Sequence, residues 1–371
     1  MLAELSGFTL SRTVPDHVLS GLLSGAFKIY GGVVRDDAGR IVAHLVNSNV
    51  PNLALSSFSS PIGTALSAVN TLQLQSLNNA VAEVMRISQA TMAISGLGLA
   101  ISTAGFLFLN AKLTKIDSAL QEIAKDVKAV RSILELQERG RLITALKALR
   151  ESSKIQDASV KKSMLINSRQ TLGEIHESYK IRLLNEQSEF EFTTVEEYFS
   201  ITALGNAICS AELGMLNTAK DDLQESFTVW KNASRSFFES QVLTEYPERF
   251  LSRRYAEFVT SRDIIGWMDF ALTEKRGIDN LDDLRNRVSS MSIDIGLFSK
   301  VSTEETINFG VARKLVARKQ VLQGYIEQLK YLTDKSIRPS ELSDYIQTLS
   351  SEDQVEGCYL FLSNEFATKA A

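Results

Sequence analysis

The sequence predicts a mainly α protein: an elongated helical bundle with a long coiled-coil helix, a small N-terminal β-hairpin and a C-terminal helical domain. Three observations carry this expectation. Only five prolines occur in 371 residues, at 15, 51, 61, 247 and 339, so no proline interrupts helices between Pro61 and Pro247. Leu109, Leu113, Ile116, Leu120, Ile123, Val127, Val130 and Leu134 alternate at spacings of four and three, the a/d seam of a coiled coil. The one clear β signal is early, where aromatic and β-branched runs flank Asp36-Asp37-Ala38-Gly39 and read as a hairpin over 28–46.

Four regions follow in order. Residues 1–46 hold the hairpin, which should pack on helices because an isolated hairpin is marginal in water. Residues 47–111 form a charge-depleted apolar helical region. A coiled-coil or helical stalk is expected over 112–190, with Gly140 loosening a pattern that Leu142, Leu146 and Leu149 resume. A C-terminal helical bundle is expected over 191–371. Thr194-Val195-Glu196-Glu197 reads as a capping box opening a helix there. Further helices are expected over about 217–240, 249–273, 279–292, 305–334 and 340–365, punctuated by Gly277 and Pro339. Ala211-Glu212-Leu213-Gly214, followed by Ala219 and Leu223, resembles a tetratricopeptide phrase. No second copy stands at the 34-residue period that such repeats keep.

The charge-depleted region is the unusual one. From Ile41 to Ala111 the only Asp, Glu, Lys or Arg residues are Glu83 and Arg86, although the chain has 40 Lys and Arg and 44 Asp and Glu. The depletion is local, because the density after residue 111 is normal. Residues 62–85 follow Pro61 with Ile62, Leu66, Val69, Leu77, Val81 and Val84 at helical spacing and Asn70, Gln73, Asn78 and Asn79 opposite. Residues 87–111 are then free of charge. As a helix they would measure ~38 Å at ~1.5 Å per residue, enough for a hydrocarbon core of ~30 Å. Ile94, Leu97, Leu99, Ile101, Phe106, Leu107, Phe108 and Leu109 are the residues expected to form a membrane element, with Ser95, Gly96, Gly98, Ser102, Thr103 and Gly105 diluting its middle. Such a helix suits either a protein core or a membrane. Beyond it, residues 112–162 carry 12 Lys and Arg against 7 Asp and Glu.

Composition and motifs exclude other classes. Hydrophobic residues at 44% and charged residues at 23% are ordinary for a folded protein and speak against extensive disorder. A net charge of −4 offers no general attraction to phosphate backbones, so nucleic acid is not an expected partner. No phosphate loop, HExxH or GxSxG is present, and Gly96-Leu97-Gly98 lacks the third glycine of a dinucleotide fingerprint. His17, His44 and His176 have no ligand spacing. Asp279, Asp282 and Asp283 read as the first turn of a helix, and Trp230 and Trp267 as core. Catalysis, a cofactor, a metal and a small-molecule substrate are therefore not expected. Cys209 and Cys358 have no CxxC-type partner and read as buried thiols of a reducing compartment. MLAELSGFTL lacks the basic n-region of a conventional signal peptide. Synthesis in the cytoplasm is the expectation, with membrane association on activation.

The hairpin-like apolar pattern at 62–111, joined to the heptads from Leu109, resembles the cytolysin A type of bacterial α-helical pore-forming toxins. The layout is also similar to that of helical proteins from bacterial anti-phage defence systems. The resemblance covers about 40% of the chain by pattern alone. It implies a pore-forming toxin or cell-killing effector, partnered by a lipid membrane and by itself or another protein. The chain departs from the toxin plan in its preceding β-hairpin and its long C-terminal helical domain. The competing reading is a helical interaction or scaffold protein that uses the 109–134 coiled coil and keeps 87–111 as a core helix.

Overall fold

The computed structural model describes residues 8–11, 15–30, 33–47, 133–152, 155–185, 189–244, 246–272, 276–291, 301–342 and 358–363. Helix dominates them, as the composition and proline spacing lead one to expect. The charge-depleted region after Asn47 and the heptads up to residue 132 lie outside the described residues.

A five-stranded antiparallel sheet gathers both ends of the sequence. Its strands are β1 (Phe8–Ser11), β2 (Phe27–Tyr30), β3 (Val33–Asp36), β4 (Ile41–Asn47) and β5 (Cys358–Ser363), in the order β1-β5-β4-β3-β2. The anticipated turn joins β3 to β4. Gly39 takes a φ of 79° and its N–H donates to the Asp36 carbonyl at 3.0 Å, while the Asp36 carboxylate accepts from the Arg40 backbone at 2.9 Å. The expected first arm over 28–35 is not one strand. It divides around Gly31-Gly32 into β2 and β3, which pair with each other from Phe27↔Asp36 to Tyr30↔Val33. Helix α1 (Asp16–Ser24) packs on β2, because at Gly21 a Cβ would stand 2.3 Å from the Phe27 ring.

Four long helices then run up and down. They are α2 (Ile133–Ser152), α3 (Ala158–Leu184), α4 (Glu189–Glu212) and α5 (Leu216–Phe237). Helix α2 runs through Gly140 without a break. Its first half meets the end of α3, where Glu138 accepts from Arg182 at 3.3 Å. Helix α4 returns along α3, with Arg169 donating to Ser210 at 2.7 Å near one end and Tyr179 stacked on Tyr198 near the other. The close approach is made at Gly205, where an added Cβ would meet Leu172 at 3.0 Å and Leu146 at 3.2 Å. Helix α4 turns into α5 at Leu213-Gly214-Met215, with Gly214 at a φ of 82°.

The chain leaves α5 through a π-helical turn (Phe238–Leu243) and two short 3₁₀ turns, Pro247–Leu251 and Tyr255–Glu257. The buried Arg249 guanidinium serves the carbonyls of Val242, Leu243 and Tyr246 at 2.7–2.9 Å. The expected helix over 249–273 is thereby shortened to α6 (Ser261–Ala271). Next come α7 (Ile278–Met291) and α8 (Thr303–Lys335), close to the expected bounds. Helix α8 opens on a capping box between Ser302 and Glu305 and lies along α4 and α5. A core of Trp230, Trp267, Phe238, Phe270 and Phe309 fills the space between these elements. Arg35 of β3 pairs with Glu327 of α8 and so fixes the sheet to the bundle.

Two further expectations are corrected. Thr194 to Glu197 do not open a helix, since α4 already runs from Glu189. The helix expected over 340–365 gives way to strand β5 at its far end, because Cys-Tyr-Leu-Phe-Leu-Ser is held between β1 and β4.

Candidate functional site

The residues expected to act on a membrane, Ile94, Leu97, Leu99, Ile101, Phe106, Leu107, Phe108 and Leu109, lie outside the described residues. So do Leu113, Ile116, Leu120, Ile123, Val127 and Val130 of the heptad seam. Leu134 falls in the first turn of α2. The structure therefore brings none of these side chains together. What it does define is the frame from which the stretch departs: β4 on one side, ending at Asn47, and α2 on the other, beginning at Ile133. Both belong to one body with one hydrophobic core, in which Val34, Val42 and Ala43 of the sheet join Leu142, Leu146 and Leu149 of α2. Among the described residues no helix is long and apolar enough to cross a membrane.

A buried charge cluster does stand out, at the contact of α4 with α5 and α8. Glu196, Glu197 and Arg318 are all below 5% exposed. Helical periodicity puts Lys314 and Arg318 on one face of α8, where each meets a carboxylate. Lys314 pairs with Glu197, and Arg318 pairs with Glu196 and reaches Glu197 at 3.4 Å. Glu196 also accepts from the Trp230 indole and, at 3.1 Å, from Ser200. Burial pulls both Lys314 and Arg318 below their ordinary values, but each cation faces a carboxylate and the cluster is balanced. Both carboxylates are engaged by cations of α8, and the Trp230 indole joins α5 to the same cluster, so the arrangement ties three helices together.

Two other buried polar groups are held as firmly. His176 lies between Thr202 at 3.2 Å and Ser226 at 3.1 Å, and burial pushes it down to about 4, so it is neutral near pH 7. Glu212, raised by burial, accepts from the Ser340 N–H and hydroxyl at 2.8 Å each. Cys209 is fully buried, and its thiol is pushed up to about 12 by that burial. A thiol so held is not a nucleophile at neutral pH. Among the described residues no group of His, Cys, Asp and Glu is arranged to hold a metal ion.

Sequence reasoning missed the cluster because Thr194-Val195-Glu196-Glu197 matches a capping pattern that uses the same residue types. The signal that would have found it is a pair of cations four apart, Lys314 and Arg318, on an otherwise apolar helix face. Asp279, Asp282 and Asp283 sit in the opening turns of α7 as expected, with Asp282 and Asp283 paired to Arg285 and Arg276. No protein-family model, curated protein or solved structure matches the chain.

Proposed function

We propose that the chain is a non-enzymatic, membrane-acting helical protein, a pore former or cell-killing effector in which residues 87–111 enter lipid. One observation carries this reading: the 25-residue charge-free run lies in a stretch inserted between β4 and α2, while the residues on either side share a single core. A folded body that carries such a stretch is the arrangement that the likeness to cytolysin A-type toxins implies. The basic residues just beyond the run, Lys112, Lys115, Lys125 and Lys128, suit anionic headgroups.

The test uses dye-loaded vesicles of phosphatidylcholine and phosphatidylglycerol with the full chain, intact and after brief protease nicking. Dye release is expected, and Leu99→Arg should suppress it, because a charge at the bilayer centre costs about 2.5–3.5 kcal/mol. Near-ultraviolet circular dichroism from the buried Trp230 and Trp267 reports whether the body stays folded. Release that persists in a folded Leu99→Arg protein removes 87–111 as the membrane element. Failure of intact and nicked protein to bind or open any vesicle removes the membrane reading.

A second reading, a helical interaction protein, is favoured by Ile166, Ile181 and Leu184. All three lie on the outward side of α3 and are 46%, 61% and 63% exposed. Sedimentation equilibrium would separate the two. Self-association that Ile181→Lys abolishes, without any vesicle binding, belongs to the second reading alone.

A further inference from the structure

Five pairs of adjacent basic residues occur in the chain: Lys161-Lys162, Arg253-Arg254, Lys275-Arg276, Arg313-Lys314 and Arg318-Lys319. Three of them lie within α-helices. Lys161 and Lys162 belong to α3, and two pairs belong to α8. There Arg313 binds Asp263, Lys314 and Arg318 enter the buried cluster, and Lys319 covers the Phe270 ring. In the pair at 275–276, Lys275 lies outside the described residues, while Arg276 pairs with Asp283 and its N–H donates to Asp269 at 3.1 Å. Arg253-Arg254 differs. Both residues are exposed and stand in the turn between the two 3₁₀ turns. Among the described residues neither side chain has an ion-pair or hydrogen-bond partner. From Arg253 to Arg262 only Tyr255 and Val259 are buried, and Arg313 holds the Phe258 carbonyl. Few contacts therefore need to open for this stretch to extend into a protease cleft, and exposed irregular turns of this kind are where proteases cut.

We propose that Arg253-Arg254 is a processing site for a serine protease that selects paired basic residues, and that the cut after Arg254 releases Tyr255 from α8. An acidic pocket of the protease takes the Arg254 guanidinium. Water adds to the Arg254 carbonyl carbon, the bond to the Tyr255 nitrogen breaks, and that nitrogen leaves with a proton. The products are a carboxylate on Arg254 and an amine on Tyr255 that is mostly ammonium at neutral pH. In the intact chain the Tyr255 N–H donates to the Ser252 carbonyl at 3.1 Å and the ring packs on Phe250 and Phe309. The Tyr255 hydroxyl donates to Glu305 at 2.7 Å, and Glu305 also accepts from Arg249 at 3.3 Å and closes the capping box of α8. One carboxylate thus joins the exit of α5 to the start of α8 across the bond that is cut. After the cut a charged amine stands beside buried rings, where desolvation disfavours it, so Tyr255 turns outward and Glu305 loses its phenol. Neither the site nor this release rests on the membrane function proposed above.

The full chain is treated with a protease specific for paired basic residues, and separately with dilute trypsin, and the products are followed by intact-mass spectrometry. The first protease should make fragments 1–254 and 255–371 at least about tenfold faster than it cuts at any of the other four pairs. Arg253→Gln should slow that cut by a similar factor, while trypsin, which needs Arg254 alone, still cuts there. In the cut protein, hydrogen exchange of the Glu305 and Thr306 amides, which bond to Ser302, is expected to speed up by at least about tenfold. Arg254→Gln treated in the same way should stay whole and keep its protection. Near-ultraviolet circular dichroism checks that both variants are folded; if either is not, the parent chain gives the order of cutting and the exchange result by itself. A first cut at another pair, or an Arg254–Tyr255 bond that resists both proteases, overturns the site. Complete cutting that leaves the Glu305 and Thr306 amides as protected as before overturns the release of Tyr255.

Discussion

His176 shows how a single buried side chain makes folding depend on pH. Desolvation is the main reason that its folded-state value lies near 4 and not at 6.5. Below 6.5 the unfolded chain takes up a proton that the folded one refuses. The contribution of this group is therefore fully present above about pH 6.5 and is lost as pH drops toward 4, by about 3 kcal/mol at ~1.4 kcal/mol per unit. Denaturant midpoints at pH 7 and pH 4.5 check this, and His176→Gln should flatten the difference between them. Glu212, raised by burial, acts with the opposite sign, so the comparison with His176→Gln is the informative one. Arg318 has a larger effect at neutral pH. Arg318→Leu leaves Glu196 buried beside Trp230 without its cation and should cost about 3–5 kcal/mol. Adding Glu196→Gln should return part of that loss, and a double-mutant cycle measures the coupling. No restoration would mean that Arg318 stabilises by packing and not by charge.

At the scale of elements, the tightest joint is the meeting of α2, α3 and α4 at Gly205. Gly205→Val must push Leu172 and Leu146 aside and should destabilise by about 1–3 kcal/mol, read as a lowered melting temperature; an unchanged melt would show that the leucines turn away at no cost. Helices α5, α7 and α8 were legible in the sequence because each is polar on one face, with Gly277 before α7 and Pro339 beyond α8 as punctuation; the structure adds Gly214 before α5 and the caps at Ser302 and Ser336 around α8. The start of α4 was not legible, because its glutamates look like a cap and in fact face α8, more than a hundred residues away in sequence. Strand β5 was hidden for a related reason. A short apolar run such as Cys358–Ser363 has no period that tells strand from helix, and its pairing partners lie near the other end of the sequence. The turn at Asp36–Gly39 was readable because its chemistry is local. Of the candidate membrane site, its composition was legible and its placement lies outside the described residues.

The molecule as a whole joins a net charge of −4 to a local basic excess after Ala111, so attraction to anionic lipid should come from that excess alone. Replacing Lys112, Lys115, Lys125 and Lys128 together by Gln should weaken binding to anionic vesicles by about 1 kcal/mol per residue. Cosedimentation should show the same weakening for the parent chain in high salt; binding indifferent to both changes would mean that headgroup charge is not recognised. The sheet also has a history within each round of synthesis. Asn47 leaves the ribosome roughly 300 residues before Cys358, which at about 5–20 residues per second is a delay of about 15–60 s. Throughout that interval β1 lacks β5, its one strand partner among the described residues, and the most apolar part of the polypeptide is already made while the strand that closes the sheet does not yet exist. A nascent chain of this kind depends on timing: slow translation lengthens the exposure, and a ribosome that stalls before Cys358 leaves the sheet open.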